Sequence, residues 1–151
     1  MSYQHQELTR QIIGAVIEVH KILGPGLLES AYRQCLVFEL EERGVRCNQE
    51  LSIPILYKHK KIDYGFRLDM IVENTVILEL KAVDAILSLH KAQLLTYLRL
   101  ANKQIGLLIN FNVPLLRDGI HRVVLNAEDF NIEDHLVSLL KDQKAINAER
   151  E

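Results

Sequence analysis

The sequence predicts an α/β fold, a mixed β-sheet made of a three-stranded meander, a crossover helix and further strands, flanked by helices. Three observations carry this. Two helix-period stretches at the N-terminus are separated by Gly24-Pro25-Gly26, and three extended stretches then follow with only short turns between them. A further helical stretch leads into residues 104–111, apolar on both faces as a central strand is, and its crossover position predicts parallel pairing.

Leu8, Ile12, Val16, Val19 and Leu23 recur at helical spacing, and the Gly-Pro-Gly turn ends this helix and starts a second over about 27–43, closed by Gly44. Extended runs follow at about 46–57, 61–72 and 75–82, the first two joined through Lys58-His59-Lys60. In the second run Tyr64, Phe66, Leu68, Met70 and Val72 alternate, which predicts one apolar face on the even numbers and Gly65, Arg67, Asp69 and Ile71 on the other. The third helix, about 86–102, turns Leu87, Leu94, Leu98 and Ala101 inward. After the central strand, residues 120–125 form a last strand and 132–146 an amphipathic helix, with Asn131 as its cap and an acidic first turn. No repeat, low-complexity tract or linker divides the chain, so residues 1–151 are expected to form a single domain.

At 48% hydrophobic and 25% charged, the chain can build a sizeable core. Its net charge of −2 excludes a global basic field, so any nucleic-acid contact must rest on a local patch. Cys35 and Cys47 stand apart and form no C-x-x-C, which predicts neither disulfides nor a zinc knuckle but a reduced, cytoplasmic protein. The N-terminus has no basic flank before an apolar core, and no apolar stretch approaches the roughly 20 residues of a membrane span.

The chemistry concentrates on the second and third strands. With Glu73-Asn74-Thr75 as a three-residue loop, Val72 opposes Val76 and Asp69 falls opposite Glu79, while Lys81 shares the face of Glu79. Like charges directly opposed destabilise a sheet, so this register calls for a cation, and a hard divalent ion answers the need. An E-x-K tripeptide is also ordinary edge charge, but Val76-Ile77-Leu78-Glu79-Leu80 is too apolar for a solvent-washed edge.

Other candidates have two readings each. Glu29 and Tyr32, at i and i+3, are either site residues or a first-turn acid favouring the helix dipole beside a half-buried tyrosine. Gln93 and Tyr97, with His90 one turn earlier, are a site face or a polar outer stripe. His20 reads as a core histidine rather than a ligand. Lys58, Lys60 and Lys61 with His59 make either a soluble turn or a phosphate-holding turn beside the carboxylates.

Asp69 followed by Glu79-x-Lys81, on consecutive strands after two helices and before an αβ crossover, resembles the PD-(D/E)XK nuclease superfamily and its restriction-endonuclease-like core. Gln93-x-x-x-Tyr97 is similar to the additional motif of the RecB-like branch, and Gly26-Leu27-Leu28-Glu29-Ser30-Ala31-Tyr32 resembles the signature of the small bacterial G-x-x-E-x-x-Y family. Leu68 stands where the superfamily name has proline, which leaves the ligand beside it intact.

The resemblance implies a nuclease that hydrolyses phosphodiester bonds with Mg²⁺ or Mn²⁺, acting on nucleic acid, with DNA the expected partner. It places Asp69, Glu79 and the Leu80 carbonyl on the metal, with Glu29 as an outer acid, and Lys81 on the attacking water and scissile phosphate. Gln93, Tyr97, Tyr32, Lys58 and Lys60 would contact or position substrate. The alternatives are a catalytically weak module that binds nucleic acid or protein on the same fold, and a structural protein whose C-terminal helix supplies a homodimer surface.

Overall fold

In the computed structural model, which describes residues 3–125, α1 (Tyr3–Leu23) and α2 (Glu29–Glu42) pack together, joined across the glycine turn. Gly24 and Gly26 both have positive φ there, 67° and 104°, which a side chain would strain. The meander follows as β1 (Cys47–Tyr57), β2 (Lys60–Val72) and β3 (Val76–Lys81), then α3 (Ser88–Ala101), β4 (Ile105–Asn110), a 3₁₀ turn (Leu116–Gly119) and β5 (Ile120–Val124). The helix predicted at 132–146, with any dimer surface it carries, lies outside the described residues.

The five strands stand in sequence order in one mixed sheet, antiparallel except for the parallel pair β3/β4. This is the α/β architecture, helices on both faces of a mixed sheet, that a restriction-endonuclease-like fold requires. One core layer seats Ile12, Val16, Tyr32 and Leu36 of α1 and α2 on Met70, Val72, Leu78, Leu80 and Leu107. The other seats Leu94, Tyr97 and Leu98 of α3 on Leu68, Ile71, Ile77 and Leu108. β3 and β4 are covered on both sides, which is why their sequences read as unbroken apolar runs.

Two local expectations are corrected. The even-numbered residues of β2 do not share a face: Leu68 packs with α3, whereas Met70 and Val72 pack with α1 and α2, and Ile71 joins the α3 side. The switch falls at Asp69, where the β1/β2 pairing passes from Gln49 with Met70 to Leu51 with Leu68, and the intervening Glu50 has a φ of 54°. A left-handed residue breaks the pleat locally, so strict alternation fails across it. Leu87 does not point inward either; it is exposed at the N-terminal cap of α3, where its N–H donates to His90 Nδ1 at 3.0 Å.

Candidate active site

The turn between β2 and β3 is residues 73–75, with Glu73 and Asn74 both left-handed, and Val72 pairs with Val76. The backbone ladder continues through Met70 with Leu78 and then stops. At the next rung side chains take over: the Leu80 N–H donates to Asp69 Oδ2 at 2.8 Å, and the Asp69 N–H donates to Glu79 Oε1 at 3.4 Å. The two carboxylates thus stand where the strands begin to part, each tied to backbone of the opposite strand.

Glu79 is only 6% exposed. Burial first, and the charge of Asp69 next, push its carboxyl from an ordinary 4.5 up to about 8, against the opposing pull of the Asp69 amide and Lys81; Glu29 raises it further by the smallest contribution. The cluster is therefore short of positive charge even with the Lys81 ammonium beside it. Two carboxylates offering hard oxygens and lacking a counter-charge suit magnesium or manganese, ions that take one or two carboxylates and keep the rest of their shell as water. No three His, Cys, Asp or Glu side chains among the described residues group closely enough to hold an ion together, so Glu29 stands in the field of the pair without joining it as a close third ligand.

Glu29 owes its place to α2, whose first residue it is, with Leu28 as a cap that makes no side-chain bond. A hollow of about 440 Å³ opens here, lined by Leu27, Leu28, Glu29, Ser30, Arg33 and, just past Lys81, Ala82. On the opposite face α3 brings Gln93 and Tyr97 together, the Gln93 amide donating to the Tyr97 hydroxyl at 3.0 Å. Burial and then the charge of Glu79, with a smaller push from Asp69, raise the Tyr97 hydroxyl's pKa, so it stays protonated near the carboxylates.

Three expected substrate contacts lie elsewhere. Tyr32 is 0% exposed and stacks on Phe111 with ring centroids 4.3 Å apart. Its hydroxyl donates to the Gly24 carbonyl and accepts the Leu27 N–H, so it pins the glycine turn from beneath and presents nothing to a substrate. Lys58 and Lys60 sit at the β1/β2 hairpin tip, where Tyr57 pairs with Lys60; along β1 this is seven residues from Glu50, which faces Asp69, about 23 Å at strand rise, so they are not beside the carboxylates. His20 is buried with Nε2 against the Val113 carbonyl at 2.8 Å.

Two contributors escaped the sequence reading. Asn110, 2% exposed at the end of β4, accepts the Val83 and Asn112 N–H groups and donates to the Val83 carbonyl, while the Phe111 N–H donates to the Lys81 carbonyl; together they fix the strand end that carries Lys81. A lone polar residue ending an apolar strand was the available signal. Arg33 pairs with Glu50 at 3.1 Å and so ties α2 to the irregular point of β1 opposite Asp69, a long-range contact with no local signature.

Residues 6–123 match the family model of the PD-(D/E)XK nuclease superfamily. No curated protein and no solved structure gives a significant match.

Proposed function

The chain belongs to the PD-(D/E)XK nuclease superfamily, and from that premise we propose that it is a Mg²⁺- or Mn²⁺-dependent nuclease cleaving phosphodiester bonds of nucleic acid, DNA in the first instance. The observation that carries this reading is the charge-deficient pair of a half-buried Asp69 and a buried Glu79 at the parting of β2 and β3, with Lys81 beside it. Asp69, Glu79 and the Leu80 carbonyl would hold the ion, with Glu29 as the outer acid. The ion would supply Lewis-acid stabilisation of the charge that develops on the phosphate.

The chain's own residues do the rest. Lys81 orients the attacking water and offsets phosphate charge from a strand end clamped by Asn110. Tyr97, protonated and steadied by Gln93, is a neutral donor positioned to hold the substrate strand. The motif order of Asp69, Glu79-x-Lys81 and Gln93-x-x-x-Tyr97, preceded by Gly26-x-x-Glu29-x-x-Tyr32, supports placing the chain in the G-x-x-E-x-x-Y group near the RecB-like branch.

The test is a panel of labelled single- and double-stranded DNA and RNA with Mg²⁺, Mn²⁺ or EDTA. Cleavage that needs the ion and disappears in Glu79→Gln is expected. Salt-sensitive binding with no cleavage of any substrate would replace this reading with a binding module.

A further inference from the structure

Beyond its last rung with β3, the β1/β2 hairpin continues as an arm in which residues 51–57 and 60–68 pair only with each other. The arm carries an unusual display. Tyr64 is 74% exposed and Phe66 36%, their ring centroids 5.4 Å apart, and Phe66 in turn lies 6.5 Å from the ring of Tyr97. The ring contacts lead outward from Tyr97, which is buried within the field of Glu79 and Asp69, through Phe66 to the exposed Tyr64. At strand rise, Phe66 stands about 10 Å from Asp69 along β2, and Tyr64 lies beyond it in the irregular stretch between Phe66 and Ile62. Between arm and α3 runs a groove of about 500 Å³, with Ile55, Phe66, Leu89 and Tyr97 as apolar walls and His90 and Gln93 as polar points.

Charge identifies the occupant. Residues 57–67 carry Lys58, Lys60, Lys61 and Arg67 against the single carboxylate of Asp63, in a chain whose net charge is −2. Exposed aromatic faces interleaved with cations suit a polyanion whose bases are free to stack. A duplex offers no such faces, because its bases are already stacked and paired. An apolar protein partner would have no use for the cations.

We infer that the exposed rings of Tyr64 and Phe66, backed by the buried ring of Tyr97, are a stacking platform for unpaired bases, so that the strand entering the Asp69/Glu79 site is single-stranded nucleic acid. This rests on the nuclease reading for what happens at the carboxylates but not for the binding itself. Lys58 and Lys60, too distant for the scissile phosphate, then hold the backbone further along the same strand.

Binding is measured by fluorescence anisotropy in EDTA, where no cleavage interferes, using labelled oligo(dT), oligo(rU) and the duplex of each with its complement. Either single strand should bind at least about tenfold tighter than its duplex. Tyr64→Ala and Phe66→Ala should each weaken it roughly five- to a hundredfold, leaving duplex binding unchanged. Phe66→Leu keeps the packing against Tyr97 and removes the ring, so it should behave as Phe66→Ala does even if the smaller side chain perturbs the fold. Equal affinity for duplex and single strand, or single-strand binding indifferent to Tyr64→Ala and Phe66→Leu, overturns the inference. So does a change confined to oligomeric mass. Ring-dependent binding without cleavage would leave the platform standing and remove the nuclease; ion-dependent cleavage of duplex that ignores the rings would do the reverse.

Discussion

At the scale of single residues, Lys81 and Glu29 divide the reaction from the scaffold. Lys81→Met keeps most of the aliphatic stem and removes the ammonium that lowers the Glu79 pKa, so the fold should persist and metal affinity should hold or rise. Cleavage should fall roughly a hundred- to a thousandfold, the usual cost of losing a preorganised charge at the transition state. Single-turnover rates at saturating ion check it, and an unchanged rate would remove Lys81 from the chemistry. Glu29→Gln should cost only a few tenths of a kcal/mol of helix-dipole stabilisation, yet abolish cleavage if the carboxylate serves the site. Melting and turnover measured on the same preparation separate those effects.

Among the elements, the glycine turn depends on one hydroxyl. Tyr32→Phe keeps the stack on Phe111 but leaves the Gly24 carbonyl and the Leu27 N–H without their shared partner, which should destabilise by about 1–3 kcal/mol in urea titrations. Activity should fall less than in Lys81→Met, since nothing at the carboxylates is removed. The turn also shows what the sequence could convey. Helical period, the Gly-Pro-Gly break and the doubly apolar β4 were legible because each is a local pattern, and the β2/β3 register followed from a short loop with a residue suited to left-handed φ. The face switch at Asp69 was not legible, because it depends on Glu50, nineteen positions earlier and of a type rarely found at positive φ. Tyr32 misled for a related reason: its spacing from Glu29 suggested a shared outer face, whereas the ring turns inward to Phe111, a partner 79 positions away.

For the molecule as a whole, the buried carboxyl sets how stability responds to pH and metal. Glu79 is pushed above its unfolded value, from 4.5 to about 8, so between those values the folded protein retains a proton that the unfolded chain releases. Stability of the metal-free protein should therefore fall as pH rises through that window, and Glu79→Gln should flatten the slope. Melting curves in EDTA from pH 5 to 8 test the sign. Saturating Mg²⁺ should raise the midpoint of the native protein and leave the Asp69→Asn, Glu79→Gln double variant unmoved; equal shifts would mean the ion binds elsewhere. The arm of β1 and β2 adds an unevenness of another kind. Held by a single neighbouring strand, its amide hydrogens should exchange with solvent well before those of β3 and β4, which are enclosed on every side. Substitutions at its exposed positions, such as Tyr64, can then alter which strand is gripped while the cooperative unfolding of the rest is left alone, so preference for one nucleic acid over another can drift in such a protein without its thermal tolerance drifting with it.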